Sequence, residues 1–240
     1  MVNIEGATAV VTGGQRGLGK ALTTELLRRG AAKVYATAWT PAAAPDPRIV
    51  PAALDVTSPE SVADLAARAG DASIVINSAG MAMGPILLTA DLKDVTEVFD
   101  TNVFGPLRMA QGFAPVLARH RGGALVNVHS VLSWAAGAGA YGASEAALWS
   151  VTNSLRLELA PAGTQVTGVH VGHIDTDVTA QITVAKNSAA KVAASIVSGI
   201  EAGETEILVD DPSRYYKARL SGPVQALTFD PELPLEGTTS

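Results

Sequence analysis

Tyr141 and Glu145 stand four positions apart in Tyr141-Gly142-Ala143-Ser144-Glu145-Ala146-Ala147-Leu148. On a helix, residues at i and i+4 share one face a turn apart, so a phenol and a carboxylate at this spacing meet in one pocket. A carboxylate in that place pushes the tyrosine pKa up, whereas a cation would lower it. A second chemical signal is Thr12-Gly13-Gly14-Gln15-Arg16-Gly17-Leu18-Gly19, which follows a strand-like run and opens a helix-like one. Its glycines permit a tight turn and let backbone N–H groups approach a pyrophosphate, whose charge a helix N-terminus favours. No His, Asp or Glu groups show ligand spacing and the chain has no cysteine, so no metal site is expected.

These residues need a scaffold, and the hydrophobic pattern supplies one. Strand-length apolar runs at 7–12, 33–37, 49–54, 73–77, 124–130, 166–171 and 206–209 alternate with helix-length segments at 17–29, 59–69, 92–119, 141–159 and 189–202. The 92–119 segment is expected to break near Phe104-Gly105-Pro106. Alternating strands and helices are the pattern of βαβ units, and near-continuous Val/Ile/Ala strands suit a parallel sheet covered on both faces. The fold expected is therefore a doubly wound α/β sheet of seven strands, as one domain over 1–221. The proline-rich end, 222–240, reads as an extended or disordered tail.

Composition narrows the partners. Hydrophobic residues at 48% against 17% charged favour a large core and a subunit interface, while a net charge of −6 with no basic run argues against nucleic acid. The start of the chain shows no basic n-region, and no apolar stretch reaches the ~18 residues needed to cross a bilayer. A cytoplasmic protein with a small-molecule substrate is expected, the absence of cysteine being consistent with a reducing compartment.

The motifs, taken in order, resemble those of the short-chain dehydrogenase/reductase family. The glycine turn has the form TGxxxGxG. Leu54-Asp55-Val56 ends one strand. Asn77-Ser78-Ala79-Gly80 resembles NNAG with Ser78 for the second Asn, and Asn102 lies in Asn102-Val103-Phe104-Gly105. Val171-Gly172-His173-Ile174-Asp175-Thr176 resembles PGxxxT, with Val171 for proline. Tyr141 and Glu145 occupy the YxxxK motif, with glutamate where the family has lysine. The resemblance implies a Rossmann-type fold over roughly residues 5–210 and nicotinamide-dependent chemistry. It implies cofactor contacts at Gly13, Gln15, Arg16, Gly17, Leu18, Gly19, Trp39, Asp55, Val56, Asn77, Ala79, Gly80, Tyr141, Ile174 and Thr176. It also implies a homodimer or homotetramer joined through the 92–119 and 141–159 helices. At the end of the second strand no acidic residue guards against a 2′-phosphate, and Arg16 resembles the basic residue of NADP-preferring members. NADP(H) is thus favoured over NAD(H).

By the same resemblance, Tyr141 gives a proton, Ser130 hydrogen-bonds the substrate oxygen and Asn102 holds a water. Ser130 and Tyr141 are 11 positions apart, about two fewer than the family pattern, with Ser133 a weaker alternative. Glu145 breaks the set. One outcome is a silent cofactor-binding protein. Another is a redox-neutral enzyme in which Glu145 works with Tyr141 or His173. The third is a reductase whose acceptor is a cationic C=N group, since the sign of the neighbouring charge is worth on the order of 4 kcal/mol at 4 Å in an effective dielectric of ~20. His129 and His173 flank the expected site and could move protons near neutral pH, although a lone strand-end histidine is more often structural.

Overall fold

In a computed structural model of the chain, which describes residues 2–120, 122–181 and 183–234, the elements in order are β1 (Thr8–Val11), α1 (Gly17–Arg28), β2 (Lys33–Ala38), β3 (Ile49–Ala53), α2 (Pro59–Arg68), β4 (Ile74–Asn77), α3 (Leu92–Phe99), α4 (Gly105–Arg119), β5 (Ala124–Ser130), α5 (Gly139–Leu159), β6 (Gln165–Val171), β7 (Ile174–Asp175), β8 (Asn187–Ser188), α6 (Ala189–Ala202), β9 (Glu206–Leu208) and α7 (Asp211–Lys217). The main sheet runs β3-β2-β1-β4-β5-β6-β9 and every pairing in it is parallel. Strand order reverses at β1 and β4, the point where a doubly wound sheet opens a crevice beyond its carboxyl ends. This is the seven-stranded doubly wound sheet expected from the strand pattern. Among the described residues, no helix is long and apolar enough to cross a membrane.

The two faces are buried separately. Leu22 and Leu26 of α1 meet Val192, Ile196 and Ile200 of α6 on one side, while Leu65, Met109, Phe113 and Leu117 from α2 and α4 fill the other. A third cluster, built on Trp134 and Tyr216 with Trp149, Leu227 and Phe229, lies beyond the ends of β5 and β6.

The structure gives the expected break in the 92–119 segment its form, and it departs from the sequence pattern at two other places. The 92–119 segment breaks at a wide π-turn, Asp100–Phe104, in which the Gly105 N–H reaches back to the Asp100 carbonyl. Pro106 opens α4 at a first-turn position, where a missing N–H is tolerated. Helix α7 was not expected. Asp210 caps it by accepting from the N–H and hydroxyl of Ser213 at 3.0 and 2.6 Å. The segment expected as an extended or disordered tail packs back onto the body as far as residue 234. Ala136 donates to the Leu227 carbonyl at 2.7 Å, and the Phe229 N–H returns to the Ala136 carbonyl at 2.9 Å. Its last six residues, 235–240, lie outside the described residues.

A buried polar chain ties the middle strands to α5. The Asn77 amide donates to the Asn127 carbonyl oxygen at 2.8 Å, and the Asn127 amide donates to the Thr152 hydroxyl at 2.8 Å. Asn127 is fully buried, so removing its side chain leaves the Asn77 amide without this partner, while the Thr152 hydroxyl keeps the Leu148 carbonyl and His129. Asn127→Ala is expected to destabilise the fold by about 1–3 kcal/mol for each group left unpaired, lowering the urea midpoint at constant slope. An unchanged midpoint would contradict this account.

Candidate functional site

A large cavity of about 1090 Å³ opens at the carboxyl ends of the central strands. One side of it is lined by the glycine-rich turn after β1. Gly13 has φ +66° and Gly17 φ +49°, both left-handed. A Cβ on Gly19 would lie 2.2 Å from the Gly13 carbonyl oxygen, so the turn closes only with glycine there. The first N–H groups of α1 receive no side-chain cap and remain available to an anion. Thr12 locks the neighbouring turn by accepting the N–H groups of Ser78 and Ala79, both at 2.9 Å. Gln15 holds residue 42 through paired hydrogen bonds of 2.7 and 2.8 Å. Arg16 is exposed on the cavity wall, and Trp39 stands 77% exposed at its rim. This donor set, backbone N–H groups and one guanidinium around a glycine-only turn, fits a dinucleotide phosphate.

Of the expected cofactor residues, Leu18, Val56, Asn77, Ala79, Gly80, Ile174 and Thr176 also line the cavity, while Asp55 does not. The Asp55 carboxylate instead accepts from the Thr57 N–H and hydroxyl at 2.9 and 2.7 Å and organises the turn into α2. Asn77 borders the cavity, but its amide is committed to Asn127.

Ser130, Tyr141, Asn102 and Glu145 converge at the other half. Ser130 ends β5, and Tyr141 and Glu145 lie one turn apart on α5. The Ser130 N–H donates to the Glu145 carboxylate at 2.8 Å, and Glu145 is only 6% exposed. Burial raises its pKa to about 7, with the Ser130 N–H pulling the other way. No basic side chain pairs with it among the described residues. Burial also pushes the Tyr141 phenol above its ordinary value. The Glu145 charge adds to that rise, and a hydrogen bond from Ser130 opposes it. Asn102 is pinned in the π-turn. Its amide donates to the Met81 carbonyl at 3.0 Å and the Ser144 hydroxyl at 3.1 Å, and its oxygen accepts the Met81 N–H at 2.8 Å.

The histidines separate into two kinds. His129 is buried, stacks on His170 at 4.8 Å and shares a 3.1 Å hydrogen bond with Thr152. Burial, then the Arg156 charge, hold its pKa down to about 3, so it stays neutral and serves the packing. His173 is half-buried on the cavity wall, its pKa lowered by burial against the pull of Asp210, and it meets the edge of Phe229 at 5.9 Å. Leu132 and Phe229 complete the substrate side. Phe229 lies too far along the chain for any local motif to have placed it here.

Residues 7–187 match the family profile described as short chain dehydrogenase. A solved short chain dehydrogenase of Burkholderia cenocepacia in complex with NADP is 36% identical, with a TM-score of 0.88 over 95% of this chain and 97% of that one. A short-chain dehydrogenase of Aspergillus ruber is 37% identical over 184 residues, 71% of this chain and 63% of that protein. An NADPH-dependent 1-acyldihydroxyacetone phosphate reductase of Schizosaccharomyces pombe is 38% identical over 132 residues, 52% of this chain and 44% of that protein. The chain thus spans less than two thirds of the length of these last two relatives.

The raised Glu145 pKa carries a stability consequence. Below pH 4.5 the carboxyl is protonated whether the chain is folded or not. As pH rises toward 7 the unfolded chain ionises first, so folded stability is lost over that window. Raising the pKa from 4.5 to about 7 corresponds to about 3 kcal/mol. Glu145→Gln keeps an acceptor for the Ser130 N–H and carries no charge. It is expected to be more stable than the native chain by roughly 2–3 kcal/mol at pH 8 and nearly equal to it at pH 4.5. Equal denaturation midpoints at both pH values would contradict the buried, raised carboxyl.

Proposed function

This chain belongs to the short chain dehydrogenase family, and from that premise we propose that it is an NADPH-dependent oxidoreductase reducing the C=N group of a small organic cation. The observation that carries the reading is the buried Glu145 carboxyl, with no basic partner among the described residues, one helical turn from Tyr141. When bound, NADPH supplies a hydride. The residues of this chain do the rest. The glycine turn and the α1 N-terminus hold the pyrophosphate, and Arg16 meets the 2′-phosphate.

Ser130 offers its hydroxyl to the acceptor group. Tyr141, its phenol raised, stays protonated and neutral at physiological pH. A neutral imine can take its proton from Glu145, whose pKa near 7 suits proton transfer near neutrality, and the resulting carboxylate then faces the iminium charge. An acceptor that is already an iminium needs no proton donor. Glu97, Asp100, Glu145 and Asp177 line the cavity, with Asp100 paired to Arg108 at 2.7 Å and Glu97 to Lys93 at 3.9 Å, against Arg16 on the cofactor side. A ketone acceptor is the more general family reading. It would leave an alkoxide to be protonated by a tyrosine that Glu145 makes less acidic. Glu145 near pH 7 beside Tyr141 also favours a second reading, redox-neutral proton transfer, which would show as product formed without change at the nicotinamide band.

In this reading the catalytic domain is the 1–221 core together with the strap that brings Phe229 to the cavity. Phe104, 45% exposed at the head of α4, and Leu157, 77% exposed on α5, support a homodimer or homotetramer joined through these helices. The cysteine-free, acidic chain suits the cytoplasm.

NADPH oxidation measured against matched ketones and cyclic imines is expected to show C=N turnover by the native chain. In Glu145→Lys that turnover should fall at least about 100-fold, roughly 2.7 kcal/mol in the barrier, as ketone turnover rises. Silence from the native chain with ketone turnover by the lysine form would overturn the reading. Arg16→Ala is expected to raise the KM for NADPH about 10-fold and leave that for NADH unchanged. An equal change for both cofactors would remove Arg16 from phosphate recognition.

A further inference from the structure

We infer that Phe229, carried by the C-terminal strap, is the specificity-determining wall of the acceptor chamber and sets the largest substituent the acceptor can bear. The inference rests on the reading above only in assuming that the acceptor sits between Ser130, Tyr141 and the nicotinamide. Phe229 borders the same cavity as Ser130, Leu132, Tyr141 and His173. It faces His173 edge-on at 5.9 Å and stacks over Tyr216 at 6.4 Å, so its ring is held on two sides.

Its backbone is held as firmly. The strap pairs with the short link between Ser130 and Tyr141: Ala136 donates to Leu227 at 2.7 Å and accepts from Phe229 at 2.9 Å, and Thr228 bridges Ala136 in parallel. On the inner side the Tyr216 hydroxyl donates to the Thr228 carbonyl at 3.0 Å and accepts the Asp230 N–H at 2.7 Å. Tyr216 is fully buried, so one phenol clamps the strap at residues 228 and 230, on either side of Phe229. A clamped aromatic ring is a rigid wall, and a rigid wall discriminates by size. Tyr216 is a positioning residue, acting through the strap. Phe229 is only half-buried, and its replacement leaves the two main cores intact.

The test reads chamber size without turnover. Dissociation constants for pyrrolidine and 2-phenylpyrrolidine are measured calorimetrically on the NADP⁺ complex of the native chain, Phe229→Ala and Tyr216→Phe. Phe229→Ala is expected to tighten the phenyl-bearing amine about 10-fold relative to pyrrolidine, with NADP⁺ affinity within about twofold of native. Tyr216→Phe, which removes the phenol's two bonds to the strap while keeping the Ala136 pairing and the ring of residue 229, should shift the ratio the same way by a smaller factor. A ratio within about twofold of native in Phe229→Ala would overturn the inference.

A second readout needs no amine. Acrylamide quenching of bound NADPH fluorescence should rise at least about twofold in Phe229→Ala as the chamber opens. Unchanged quenching would overturn the wall. If neither amine binds any form, the cationic acceptor fails, and the quenching result still decides the role of Phe229.

Discussion

Ser130 stands where β5 ends, and its N–H donates to a carboxylate that the rest of the molecule has taken out of water. That hydrogen bond joins the sheet to α5 at the point where the cavity needs its chemistry. The other site geometry follows from it. With Glu145 turned toward the strand end, Tyr141 one turn earlier faces the same space. Ser144, between them, meets Asn102 from the π-turn at 3.1 Å. A lysine in place of Glu145 would bring a cation to this floor. The glutamate brings a proton that leaves near neutrality, and the tyrosine beside it is held further from ionisation as a result.

The cavity's two halves are built on different principles. The cofactor side is built on a turn whose tightness only glycine permits, since a Cβ at Gly19 would collide with the Gly13 carbonyl. It tolerates little change, because its donors are main-chain N–H groups with fixed directions. The acceptor half is made of side chains from strand ends, α5 and the C-terminal strap. Its properties can therefore change residue by residue while the sheet stays the same, and Glu145 and Phe229 are where this chain's chemistry and selectivity are concentrated.

Most of the sheet was legible in the sequence because parallel strands buried on both faces must be continuously apolar, and seven such runs are present. The glycine turn was legible because its chemistry is local. The π-turn was visible only as a break at Phe104-Gly105-Pro106, since one extra residue in a helical turn leaves no periodic trace. Helix α7 carried readable signals, an Asp210 cap and Pro212 in its first turn, but its seven residues are too few for a clear 3.6 period. Asp55 sits where the motif places it, and one of its carboxylate oxygens accepts from Thr57, a local contact that the motif does not announce. Phe229 could not be found by local reasoning, because its place depends on a contact with Ala136 some ninety positions earlier. His129 could move a proton or pack by its position alone, and its burial, which keeps the ring neutral, favours packing.

Titration of the Glu145 carboxyl decides whether it is a buried acid poised near neutrality. Carbon-13 NMR of the glutamate side-chain carboxyls, with the resonance assigned by its loss in Glu145→Gln, gives the midpoint without any substrate. The account predicts a midpoint near 7. A midpoint in the ordinary glutamate range, about 4.3, would mean that Glu145 is solvated and ionised, and that the site does not work as described.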